Sequence, residues 1–439
     1  MTVLAVGRQR IAGTAGWLTA VLIAAPVEGG LVAVRPVLAL IPPIVLGVLL
    51  AGELPVSLLL GALLLARTLA DDASGAAARS SGSVDASGAI AAVLLIVAFG
   101  LLLRRRRGAR HIAAVAAFLV VWSLLAAYNL GLSATSIREG LRELSILAVV
   151  VIVMQAARPL TLQASARLAQ LVAIPPAVVV LYQVATNRGM LIGTNLRANG
   201  TFSHPNSAGV FLAIAALVSL WLFFEHGRHA RDLVATGVFV AALVGTYSIG
   251  SMAAFLVMLL VLGSARRRRV GVRFAAWSLA GVAAVLFLLT PIGGSRLQAE
   301  SNLSGSNSTS LTWRFSNWGS LVPLYEASPA VGQGLGVTVL GDTTKGALPH
   351  NEWVRYLVET GTVGMALIVA GIVLVLRRLW RVRRACPADA PLAIALIAGL
   401  LFDAVGANTL LYTPAAYLAA LLLGAAWRTI AASPEPAAA

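Results

Sequence analysis

Five histidines occur in the chain, and two of them, His204 in FSHPN and His350 in PHNEW, stand just before long apolar runs. A helix N-terminus disfavours imidazolium, so a histidine there stays neutral near pH 7, the state a general base requires. The same position also suits a histidine that merely caps its helix, and Pro205 after His204 strengthens that reading there. Arginine is the other candidate. Arg138, Arg142, Arg188, Arg197, Arg296, Arg314, Lys345 and Arg355 lie away from the main basic runs. Guanidinium groups gathered at the mouth of a helical bundle suit a pyrophosphate, whose oxygens match the planar fork in pairs. Some of these will instead reach out to lipid headgroups, a reading that fits Arg188, Arg296 and Arg355 best.

The elements that must position these groups are membrane helices. The chain has 439 residues, 59% hydrophobic and only 11% charged. Apolar runs long enough to cross a bilayer recur throughout, and without water each must close its backbone hydrogen bonds as a helix. The expectation is an all-α polytopic integral membrane protein with about 12–14 transmembrane helices. The spans are read at 11–27, 31–51, 54–70, 89–103, 111–130, 140–157, 166–186, 207–225, 232–248, 250–264, 273–290, 352–376, 391–410 and 413–430. The first of these, behind Arg8 and Arg10, is read as a retained helix rather than a cleaved leader.

The net charge of +16 does not mark a nucleic-acid binder, because its largest clusters, Arg104–Arg107, Arg266–Arg269 and Arg377–Arg384, sit between apolar spans. Such loops are held on the cytoplasmic side. One register then satisfies every basic loop and puts both termini inside, in a bacterial inner membrane. Arginine so far outnumbers lysine that a GC-rich genome is the simplest source. Cys386 is the single cysteine, so no disulfide framework exists.

This register leaves three segments outside: a Ser/Gly/Ala-rich connector at 71–88, a medium loop at 187–206, and one long loop at 291–350. The domain division follows as 1–290, a transmembrane bundle; 291–350, the outer loop; and 351–439, the C-terminal helices with a short tail. Within the long loop, Leu311, Phe315, Trp318, Val322 and Tyr325 recur at helical spacing, which predicts an amphipathic helix started by Ser310 and kinked or ended at Pro323. The helix is expected on the outer leaflet or as a lid on the bundle. The glycine-rich VGQGLG that follows is read as a turn with backbone amides available to phosphate.

The runs RANGTFSHPNSAG (Arg197–Gly209), WRFSNWGSLVPLYEASPAVGQGLG (Trp313–Gly336) and PHNEWVRYLVETGTVG (Pro349–Gly364) together resemble the O-antigen ligase and O-antigen polymerase superfamily. The resemblance covers about residues 190–375 closely and the rest through span count and the long outer loop. It implies a metal-independent, inverting glycosyltransferase without a cofactor. The reaction would move a glycan from an undecaprenyl-pyrophosphate carrier to a hydroxyl on a glycan, glycolipid or protein acceptor, at the outer face of the membrane. By motif, Arg197 matches the arginine of the medium loop, Arg314 that of the long loop, and His350 the histidine of an HN pair completed by Asn351. The arginines would neutralise the leaving pyrophosphate and His350 would take the acceptor proton. His204, Asn351, Arg138 and Arg142 are expected to assist substrate binding, the two arginines on topology alone. One departure stands out: YSIGSMAAF (Tyr247–Phe255) lacks the arginine that relatives often carry after the serine.

Two other classes compete. A metal-dependent transferase would need outer carboxylates, for which Asp71 and Asp72 are the best pair, although no outer spacing of Asp, Glu and His suggests a metal cage. A transporter or flippase of polysaccharide precursors would use broken helices, for which Ile41–Pro43 and Ile174–Pro176 are the best features.

Overall fold

The computed structural model describes residues 55–71, 86–104, 134–156, 160–192, 195–265, 281, 310–339 and 348–432. The spans expected at 11–27, 31–51 and 111–130, and that at 273–290 apart from residue 281, lie outside these residues, as do Asp72, Arg296 and Lys345.

Among the described residues the chain forms eleven α-helices: α1 (Val56–Leu69), α2 (Ala86–Arg104), α3 (Ala134–Gln155), α4 (Leu162–Ala185), α5 (Pro205–Glu225), α6 (Ala230–Gly245), α7 (Ile249–Ala265), α8 (Ser310–Ala327), α9 (Glu352–Val382), α10 (Asp389–Gly406) and α11 (Thr413–Ala432). Five of them, α4, α5, α9, α10 and α11, are long and apolar enough to cross a membrane, and α1, α2 and α7 are shorter apolar helices. The protein is thus an all-α, multi-pass membrane protein. Its small exception is a hairpin of β1 (Met190–Ile192) and β2 (Asn195–Arg197), paired antiparallel with Met190 opposite Arg197.

The centre of the bundle is α5. Its sequence is apolar on every side, as a helix without a solvent face must be, and 89% of its most apolar window is buried. It packs against α4, α6, α7, α10 and α11. Small residues permit these approaches: a Cβ added to Gly209 would come within 2.8 Å of the Ser248 side chain and 2.9 Å of Ser251. By contrast, α4 and α9 carry exposed rows, Leu171, Val178 and Tyr182 on one and Val363, Leu367 and Leu374 on the other. Exposed apolar rows on spanning helices suit lipid.

Some local expectations need correction. Helix α4 runs through Pro175 and Pro176 without ending, so the break that would favour a transporter is not there. Pro323 likewise lies inside α8, which continues to Ala327. The span expected at 352–376 is longer and is interrupted at Gly361, whose φ of 64° is non-helical. A Cβ there would lie 2.3 Å from the Ala330 carbonyl oxygen, so only glycine admits the close crossing. The chain that crosses is VGQGLG. Two of its amides are engaged with the broken helix, Gln333 donating to the Val358 carbonyl and Gly334 to that of Glu359, each at 2.9 Å. They finish the broken helix rather than wait for a phosphate.

Candidate active site at one end of the bundle

Helix starts and loop turns meet at one end of the bundle. His204 is the N-cap of α5, and its Nδ1 accepts from the Asn206 amide at 3.1 Å. His350 stands one residue before the Asn351 N-cap of α9, with a φ of 50°. Asn351 uses its side-chain oxygen on the amides of Trp353 (3.0 Å) and Val354 (3.1 Å). Its place is therefore to fix the helix start beside His350. The two imidazoles face each other with centroids 6.0 Å apart.

The segment carrying His350 hangs on α8. Asn317 donates to the Leu348 carbonyl at 2.9 Å and the Trp318 indole to that of Pro349 at 2.6 Å. Trp313 then presents to the His350 ring, edge to face, at 5.6 Å. The same helix carries Arg314, which acts electrostatically on both His204 and His350. A Cβ added to Gly406 would lie 3.4 Å from Arg314 Nη1, which places that guanidinium against the end of α10. Along the apolar stripe expected for α8, Phe315 and Val322 are exposed, whereas Trp318 is tied to the Pro349 carbonyl.

Arg197 arrives from the opposite side. It closes β2, where a Cβ on the neighbouring Gly189 would be 2.4 Å from the Arg197 carbonyl oxygen. Its Nε donates to the Thr246 carbonyl at 3.1 Å and its Nη2 to Asn206 Oδ1 at 2.8 Å. The turn after it is clamped by Gln183, whose side-chain oxygen accepts from the amides of Asn199 (3.0 Å) and Gly200 (2.8 Å). Asp71 holds the next stretch, accepting from the Ser203 amide and hydroxyl at 3.0 Å each while paired with Arg67 at 2.7 Å. Asp71, the carboxylate weighed for metal chemistry, thus anchors the strand that delivers His204.

Both imidazoles are held neutral. Burial chiefly, with Arg197, His350 and Arg314 adding to it, lowers His204 from 6.5 to about 3. Burial and then Arg314 lower His350 to about 4. A helix start was the expected cause for His350; desolvation and a neighbouring guanidinium are the larger ones. The two rings are not equivalent. Because His204 Nδ1 accepts a backbone hydrogen, its neutral tautomer carries the proton on Nε2. His350 Nδ1 is buried without a hydrogen-bond partner.

Arg138 and Arg142 do not join this group. Arg138 is exposed on α3, and Arg142 pairs with Glu139 on the same helix. Arg142 borders a separate ionic group around Arg355, which is fully buried and reaches Glu143 and Glu352 at 2.6 Å and Glu359 at 3.2 Å. Arg355 is therefore not the headgroup ligand that its sequence position suggested. It ties α3 to α9, and Thr338 completes the group by donating to Glu359 at 2.6 Å.

Sequence reasoning missed several residues of this end. A hydrogen-bonded line runs from Arg197 through Asn206 to Ser248 (3.0 Å), from Ser248 to Ser251 (3.0 Å) and from Ser251 to Asp403 (3.2 Å). Thr409 closes it on Asp403 at 2.9 Å. Tyr412 stacks nearly parallel on His204, with centroids 6.5 Å apart. Serine pairs and a tyrosine between two apolar runs carry no local signal of such a role.

The described helices make a polytopic membrane protein that brings His204, His350, Arg197 and Arg314 together at one end of its bundle. A protein-family model described as O-antigen ligase matches residues 234–369. Over that stretch the chain is similar to O-antigen ligases, and the match supports the resemblance to the O-antigen ligase and polymerase superfamily. The matched stretch includes Arg314 and His350. No curated protein matches the chain.

Proposed function

We propose that this protein is a membrane glycosyltransferase of O-antigen ligase type, acting on a glycan carried by undecaprenyl pyrophosphate at the outer face of a bacterial inner membrane. The carrying observation is the meeting of two neutral imidazoles with two guanidiniums: His204 responds to Arg197, His350 and Arg314 together, and His350 to Arg314.

In this reading the acceptor hydroxyl attacks the anomeric carbon of the carrier-linked sugar from the face opposite the pyrophosphate. A carbon–oxygen bond forms there, the bond to the pyrophosphate oxygen breaks with its electron pair, and the anomeric configuration inverts. The hydroxyl proton passes to His350, whose Nδ1 is unengaged. His204 is unsuited to that task because its Nδ1 is committed to the α5 amide, and it instead offers Nε2–H to the pocket. Arg197 and Arg314 oppose the charge gathering on the leaving pyrophosphate, and their value rises in a dry site. Placing the site on the outer face rests on the positive-inside bias of the basic loops. A polymerase of the same superfamily would use the same groups and differ in taking a second carrier-linked glycan as acceptor.

The test is purified full-length protein with an undecaprenyl-pyrophosphate-linked glycan and a range of hydroxyl acceptors, followed for free undecaprenyl pyrophosphate and for the glycosylated product. Both are expected to appear together. Movement of the donor across proteoliposomes with no release would overturn the transferase reading in favour of a transporter.

A further inference from the structure

The connection between α10 and α11 contributes a side chain that nothing in the site yet uses. Tyr412 is only 8% exposed, and its hydroxyl is buried without a hydrogen-bond partner. It comes near the Asn206 side chain but does not meet it in a sound hydrogen bond. A buried hydroxyl without a partner is uncommon, because its lost hydration is not repaid within the protein. The site around it is built. Its ring lies flat against His204. Asp403, Glu352 and Arg314 are within electrostatic range, and Asn206 beside it also holds Arg197.

We propose that the Tyr412 hydroxyl is a further catalytic group, donating a hydrogen bond to a phosphate oxygen of the departing pyrophosphate. The inference rests on the donor class proposed above and adds a neutral donor to the two cations. Burial raises the phenol well above its usual pKa, so it stays protonated and is a donor rather than a base. Phosphate oxygens only accept, and this hydroxyl lies beside Asn206, which holds Arg197, and within range of Arg314, the two cations assigned above to the pyrophosphate. A donor aimed at charge that grows during reaction lowers the barrier more than it tightens substrate binding.

Tyr412→Phe isolates the hydroxyl, because the phenyl ring keeps its stack on His204. In the full-length protein, kcat for release of undecaprenyl pyrophosphate is expected to fall about 100-fold with KM for the donor changed less than threefold. The melting temperature is expected to hold or rise, since a partnerless buried hydroxyl is removed. Wild-type kcat in Tyr412→Phe, or a lowered melting temperature accounting for the loss, would overturn the proposal. A binding measurement with undecaprenyl pyrophosphate separates the two layers. If wild type binds it and Tyr412→Phe turns over normally, the tyrosine assignment alone fails. If wild type does not bind it, the donor class fails and the tyrosine with it.

Discussion

Among the described residues, the polar group around Arg355 and the one that holds Arg197 are built on opposite plans. Around Arg355 every guanidinium nitrogen finds a carboxylate, from Glu143, Glu352 and Glu359, and the arginine is wholly buried. In the pocket a few residues away, Arg197 donates to the neutral oxygens of Thr246 and Asn206, and the nearby groups are imidazoles that burial keeps uncharged. The first group commits every guanidinium nitrogen of Arg355 to a carboxylate and joins helices, leaving Glu352 Oε2 without a hydrogen-bond partner. The second leaves His350 Nδ1 and the Tyr412 hydroxyl unengaged. Residue type alone does not distinguish them: both use arginine beside a helix start, and only the partners reveal which is a fastening and which is a site.

The largest expected effect breaks the first group. Arg355→Ala strands the buried carboxylates of Glu352 and Glu359 and the partly buried one of Glu143, a loss of roughly 3–5 kcal/mol, so the variant should melt far below wild type or fail to accumulate in the membrane. A melt like wild type would mean the ionic group is not the fastening described. In the pocket the order reverses, with activity lost and stability kept. His350→Asn is the informative change, because asparagine tolerates the left-handed backbone of this position (φ 50°) better than alanine. Turnover should fall by roughly 100- to 10,000-fold, as for loss of a general base, with the melt unchanged. Residual turnover near wild type would remove His350 from that role.

A smaller effect sharpens the contrast. Arg197→Lys and Arg314→Lys keep the charge and lose the planar fork, and each should lower kcat/KM by about tenfold. Lysine variants that match wild type would reduce the two arginines to simple point charges.

Much of the frame was legible in the sequence. The apolar runs that became α4, α5, α6, α7, α9 and α11 overlap their expected ranges closely, because bilayer length and backbone satisfaction leave little choice. The groups of the pocket were also nameable, His204 and His350 from their place before apolar runs, Arg197 and Arg314 from motif likeness. What stayed hidden was non-local. Arg355 looked like a snorkelling cation because its partner Glu143 is 212 residues away. Gly361 gave no sign of a break because the apolar run continues past it, and the reason it breaks is the backbone of Ala330 pressed against it. Tyr412 was overlooked because the run read at 391–410 absorbed most of the 407–412 turn, whereas α10 stops at Gly406.

The central claim is that an uncharged imidazole, kept so by burial and an adjacent guanidinium, takes the proton in this reaction. The pH dependence of kcat/KM tests it most directly, since that ratio reports the ionisation of the free enzyme. A base with a lowered pKa works unprotonated and fails only when acid reaches that lowered value. The acidic limb should therefore be flat down to about pH 5 and half fallen near pH 4, where His350 titrates. Half-loss near 6.5, the ordinary imidazole value, would contradict the account.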